Sequence, residues 1–246
     1  MSVIQTNPRR DYGIVVAKVS VTTVIHAHTL FAYTAFFIAL IVGCLTHYHK
    51  IVENEFYGYP QEWLPSVSAT IGDRYPARAL FQIFIALTSG PRFILVFVNY
   101  LRSKSAFPPR WRTVFLAIGL ARTVACGGWV YVTSTDDHSL HDFAMITYVI
   151  LTLPWMVGNI MIPSNEKTSP SKWRKRICYA FFGSLMPLAY LFIQHKIYHV
   201  PGAYTYYAMF EWSLIIYDIA FDAMTALEME GVDMEVVDMS GNDKFV

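Results

Sequence analysis

Long apolar stretches separated by short polar ones dominate the chain. A helix that crosses a bilayer needs about 20 mostly apolar residues. Six stretches qualify: Val24–Thr46, Ala79–Leu101, Val114–Thr133, Leu140–Ile162, Ile177–Gln194 and Tyr204–Leu227. The third is the least apolar, because it carries Arg122. This pattern predicts an all-α fold, a polytopic membrane bundle of six transmembrane helices. Arg9 and Arg10 precede the first run, but that run is a full span with no small-residue cleavage pattern. It reads as an uncleaved first helix.

The Lys and Arg residues set the expected orientation. Arg9, Arg10 and Lys18 lie in the N-terminal tail, and Arg102, Lys104, Arg110 and Arg112 join the second and third spans. Lys167, Lys172, Arg174, Lys175 and Arg176 join the fourth and fifth. Of the opposite loops, the third-to-fourth has no Lys or Arg, the fifth-to-sixth has only Lys196, and the long first-to-second has Lys50, Arg74 and Arg78 among the acids Glu53, Glu55, Glu62 and Asp73. Basic residues mark cytoplasmic loops, so both termini are expected in the cytoplasm. The chain then divides into a cytoplasmic tail (1–23), a membrane domain (24–227) with a lumenal loop (47–78), and an acidic cytoplasmic tail (228–246). The lumenal loop holds Tyr57, Tyr59, Trp63, Pro60 and Pro65, suited to the headgroup layer. A short interfacial helix near Glu62–Ile71 is one expectation there.

Composition supports this class. Of 246 residues, 54% are hydrophobic and 15% charged, below the quarter or so of a soluble domain. A net charge of +1 offers no basic field for nucleic acid. Cys44, Cys126 and Cys178 lie far apart in apolar runs, which suggests neither a metal site nor a disulfide framework. There is no Asn-x-Ser/Thr acceptor, Gly-x-Ser-x-Gly elbow, HExxH motif or phosphate loop. No metal and no cofactor are expected.

Ionisable residues inside spans are costly and usually face the bundle interior. Arg92 follows Gly90-Pro91 in the second span, where a proline removes a backbone donor. Glu211, Asp218 and Asp222 are spaced by seven and four, so they return to within roughly 20° of one direction on the sixth span. Arg92 and Arg122 either neutralise this stripe or line a polar cavity with it for a lipid headgroup. Six of the eight histidines fall at lumenal ends: His47, His49, His138, His141, His195 and His199. Asp136, Asp137 and Asp142 join them, with His138 and Asp142 four apart on one helix face. A His with a carboxylate partner can act as a general base. Equally, Asp137 or Ser139 can cap the fourth helix. His26 and His28 are expected to snorkel at the cytoplasmic start of the first helix.

Glu55-Phe-Tyr-Gly-Tyr-Pro-Gln-Glu-Trp-Leu-Pro-Ser-Val-Ser-Ala-Thr-Ile-Gly-Asp73, Pro76-Ala-Arg78 and Phe81-Gln-Ile-Phe-Ile-Ala-Leu-Thr-Ser-Gly-Pro-Arg92 carry a resemblance. They resemble the first lumenal loop and second helix of the Frag/DRAM/Sfk family, within its GPI lipid-remodelling branch. That branch holds the animal post-GPI-attachment factors and the membrane part of fungal Cwh-type proteins. The Asp136, Asp137, His138, His141 cluster and Glu211-Trp212 resemble it too, so the likeness runs from about His26 to Leu227. The resemblance implies a multi-pass protein of the Golgi or endoplasmic reticulum that remodels the lipid of GPI-anchored proteins. The animal branch reacylates lyso-GPI, and the fungal branch exchanges diacylglycerol for ceramide. Fungal members carry a second, hydrolase-like half absent here, which implies a separate hydrolase-like partner beside GPI-anchored proteins and membrane lipids.

The site expected on these grounds has His138, His141 and Asp142 as acid–base residues. Arg92, Arg122, Glu211, Asp218, Trp63 and Ser68 would bind the lipid. No acyl-enzyme nucleophile can be named, so the chain is either the transferase or its membrane subunit. The alternatives are a non-enzymatic lipid or sterol organiser and, from the carboxylate stripe, an ion or proton carrier.

Overall fold

The computed structural model describes residues 14–72, 74–164 and 170–238. Arg9, Arg10, Asp73, Lys167 and Asp243 lie outside the described residues. The chain runs β1 (Ile14–Ser20), α1 (Val21–Ile51), α2 (Val67–Gly72), α3 (Ala77–Arg102), α4 (Pro109–Tyr131), α5 (His138–Met161), α6 (Pro170–Lys196), α7 (Ala203–Glu228) and β2 (Asp233–Asp238). The protein is a helical membrane bundle. Helices α1, α3, α4, α5 and α6 are each long and apolar enough to cross a bilayer. The sixth expected span corresponds to α7, which carries Glu211, Asp218, Asp222 and Glu228.

The outer surface is greasy: Leu45 is 81% and Met186 80% exposed. In water such a surface would drive association, whereas in lipid it costs nothing. The interior is built on small residues. Ala32, Ala35, Ala39 and Gly43 form the buried face of α1, the small-residue spacing that lets helices in a membrane approach closely. The α4–α5 contact is tighter still. A Cβ on Gly158 would lie 2.5 Å from the Phe115 ring, and one on Gly128 2.7 Å from Ala144. Phe115 and Trp155 stack there at 5.0 Å.

The loop before α2 is clamped onto α7. Glu62, fully buried, accepts hydrogen bonds from Gly202 N (2.9 Å), Thr205 N (2.8 Å) and Thr205 Oγ1 (2.7 Å). It thereby caps the N-terminus of α7, whose first N–H groups lack helical partners. Trp63 N donates to Thr205 Oγ1, and Trp212 Nε1 donates to Pro65 O. The short helix in this loop is α2, briefer than the expected Glu62–Ile71 and capped by Ser66, whose Oγ accepts from Ala69 N at 3.1 Å.

At the opposite end of α7, Glu228 binds Arg102 from α3 and Arg174 from α6, both at 2.7 Å. Beyond it β2 pairs antiparallel with β1, matching Ser20 with Asp233 and Ile14 with Asp238. Lys18 lies 2.9 Å from Asp233, and that hydrogen bond and charge raise the lysine's pKa. The sequence reading has no strand here. The sheet brings the start of α1 and the end of α7 to the same end of the bundle.

Candidate functional site

A charged network crosses the middle of the bundle. Arg122 of α4 binds both Asp218 and Asp222 of α7, the latter at 3.2 Å, and donates from Nε to Thr152 Oγ1. Tyr148 donates its hydroxyl to the other Asp218 oxygen, and Trp155 Nε1 donates to the other Asp222 oxygen at 3.0 Å. All four carboxylate oxygens are thus occupied, as burial demands. Arg92 of α3 reaches the network only through Tyr148, donating to its hydroxyl at 3.2 Å. Among the described residues its buried Nε has no hydrogen-bond partner, and neither has Trp129 Nε1.

Arg92, Tyr148 and Asp218 line one end of a cavity of about 820 Å³, counted out to its mouth. Ser68, His141 and Glu211 line it elsewhere, near the loop end of the bundle. His141 is three residues into α5, about 5 Å along the axis, and Asp218 is fifteen residues into α7, about 22 Å. Between these levels the walls are apolar, with Phe36, Ile85, Met145, Val149 and Leu214. A long apolar slot with polar groups at both levels is the shape of an amphiphile.

The expected site residues separate into three groups. Arg92, Asp218, Glu211, Ser68 and His141 share the cavity. Arg122 stands behind it, held by the two aspartates. His138, Asp142 and Trp63 lie outside. His138 Nε2 is 3.6 Å from Asp142 Oδ2 on an exposed face, with 75% of the His138 side chain open. The expected trio is therefore divided. Asp137 caps α5, accepting from Leu140 N, and this fixes the helix phase so that His141 joins Ala144 and Tyr148 on the buried face. His141 Nδ1 bonds to Val132 O at 2.8 Å, which fixes the ring and leaves Nε2 for other contacts. Ser68 Oγ lies 3.2 Å from Ser66 Oγ, and Trp63 serves through its backbone.

The carboxylate stripe also divides. Glu211 accepts from Val67 N at 2.8 Å, at the start of α2, while Asp218 and Asp222 serve Arg122. The expectation for His28 is corrected. It does not snorkel: it is fully buried, and among the described residues both ring nitrogens lack partners, because it shares the inner face of α1 with Ile25 and Ala32. Tyr148, Trp129 and Trp155 were missed, since aromatic residues in an apolar run look like packing until a charge is placed beside them.

Asp136 joins the α4–α5 turn to the corner before α3. Arg78 binds its carboxylate, and Thr133 donates from both side chain and backbone. These bonds hold the carboxyl below the usual range. Its contribution to stability is then present above the ordinary carboxylate pKa of about 4 and lost as pH falls through the lowered value. Asp136→Asn should flatten the acid side of the melting-temperature profile in detergent. An unchanged profile would remove Asp136 from the acid response.

Residues 20–232 match the Frag1/DRAM/Sfk1/Cwh43P N-terminal domain. Protein cwh43 of Schizosaccharomyces pombe is 50% identical over 80% of this chain, which spans only 20% of that protein's length. Post-GPI attachment to proteins factor 2 of Caenorhabditis briggsae is 24% identical over 74% of the chain and 76% of its own length. Acyltransferase PGAP2 of Xenopus tropicalis is 27% identical over 67% and 70%. No solved structure matches.

Proposed function

We propose, from the premise that this chain belongs to the Frag1/DRAM/Sfk1/Cwh43 N-terminal domain family, that it remodels the lipid of GPI anchors in the secretory pathway. Reacylation of a lyso-GPI and exchange for ceramide are the two forms this takes, in the Golgi or endoplasmic reticulum membrane. The names of the relatives, one for post-GPI attachment and one for acyltransferase, support the reading. The observation that carries it is the apolar slot with His141, Ser68 and Glu211 near the loop and Arg92 deep inside.

Six crossings with both termini cytoplasmic fit this role. The β1–β2 pair places the two ends of the bundle together, which favours an even number of crossings. The slot then opens toward the lumenal leaflet. In such a site His141 takes a proton from the lipid hydroxyl near the mouth, and Arg92 with Trp129 offers buried donors to the part of the lipid that reaches the deep end. The chain acts as the transferase or as the membrane subunit of a complex with a separate hydrolase-like protein.

Mass spectrometry of anchor lipids tests this. Loss of the protein should leave GPI-anchored proteins with lyso or unexchanged lipid, and unchanged anchors would sink the reading. At normal expression, His141→Ala should slow remodelling about 100-fold. Arg92→Gln should be similarly impaired, and His138→Ala should stay near wild type. A non-enzymatic lipid organiser is the second reading, favoured by the division of the His–Asp trio. It predicts lipid binding without turnover and full tolerance of His141→Ala.

A further inference from the structure

We propose that the groove between α3 and α4 is a second acyl-chain site, taking one chain of a membrane glycerophospholipid against the wall that Arg92 shares with the central cavity. The groove spans about 580 Å³ on the outside of the bundle, the open space at its mouth included. Phe93, Val124 and Tyr131 line it and are 46%, 69% and 41% exposed, so in a bilayer it faces lipid. One glycine leaves it open: a Cβ on Gly127 would meet only Tyr131 Cδ2, at 3.9 Å. The hydroxyls of Thr88 and Thr123 donate to carbonyls of their own helices, to Ile85 O and Gly119 O. What they show the groove is therefore largely methyl surface, which suits a hydrocarbon chain.

Ile85, Arg92, Cys126 and Val130 line this groove and the central cavity alike. Arg92 is the charged member of that shared wall. Among the described residues no carboxylate lies within ion-pair distance of it, and its Nε has no partner. A buried donor in that condition favours an acceptor oxygen. The wall runs down to the deep level of the slot, since Arg92 is fifteen residues into α3, about 22 Å along the axis. Cys126 is five residues from the end of α4 at Tyr131, about 8 Å along the axis. The Arg92 side chain leans toward the start of α3, the same end of the bundle.

This deepens the proposed function and rests on it only for the role of the second lipid. Acyl transfer needs donor and acceptor side by side. The central slot would hold the GPI lipid, and the groove the chain of the donor, with Arg92 between them.

The full-length protein in phosphatidylcholine nanodiscs, carrying phosphatidylcholine with a diazirine on its sn-2 chain, provides the test. Cross-links mapped by mass spectrometry should concentrate at Ser89, Phe93 and Val124, above the level on the lipid-facing residues Ile41 and Leu45 of α1. Gly127→Leu, which fills the groove, should cut the groove labels at least tenfold and leave those at Ile41 and Leu45 in place. Should Gly127→Leu fail to fold, Val124→Trp covers the groove from its exposed rim and carries the same expectation. Labelling no stronger than on α1, or indifferent to both variants, would mean annular lipid only and overturn the proposal. Equal loss of the α1 labels along with the groove labels would also overturn it, since the variant would then have changed lipid contact in general. None of these readouts uses a GPI substrate, so failure here and failure of the remodelling reading are separable.

Discussion

Arg122→Met should destabilise the protein by roughly 3–5 kcal/mol, the cost of leaving buried partners without their counter-charge. Arg122 is 1% exposed and is the only cation in direct contact with Asp218 and Asp222 among the described residues. Methionine keeps much of the volume but strands both carboxylates in the bundle. Thermal unfolding in detergent measures the loss. The triple change Arg122→Met, Asp218→Asn, Asp222→Asn should recover a large part of it, because the charges then leave together. A single variant that melts with wild type would mean that the network carries little stability. The remodelling proposed above should fall as well, since Asp218 and Tyr148 form the deep end of the slot.

Glu62→Ala should cost about 3 kcal/mol. It removes three hydrogen bonds to one buried carboxylate and leaves Gly202 N and Thr205 N uncapped. Because Trp63 N and Pro65 O are tied to α7 beside it, the whole segment before α2 should loosen. Limited proteolysis should then cut between residues 52 and 66 at protease levels that spare the wild type. Glu62→Gln keeps an acceptor oxygen and should fall between the two. Equal protection of all three proteins would show that the other loop contacts suffice.

The long helices were legible because membrane spans announce themselves through apolar length alone. Their interior wiring was legible only in part. The stripe of Glu211, Asp218 and Asp222 was right in direction, but seven residues along a helix is about 10 Å of travel. Glu211 therefore meets α2, while its neighbours on the stripe meet α4. Arg102 and Arg174 count toward topology in the sequence, but in the fold they also converge on Glu228. Periodicity says which way a side chain points and nothing about which helix stands opposite. The β1–β2 pairing was invisible for a related reason: each strand is short, and its partner lies some two hundred residues away. Glu62 lies in an aperiodic loop, where no pattern distinguishes a cap from a solvated acid.

That terminal clasp also bears on biosynthesis. The first helix enters the membrane early, yet its inner face, with buried His28, meets α7 only after every other helix has been made. Threonine 22 then bonds to the carbonyls of Ala226 and Met229, and the strands close behind it. Until that moment the newborn bundle is an open ring with a polar seam toward lipid, so ring closure is the step at which a membrane chaperone or quality-control factor would find its client.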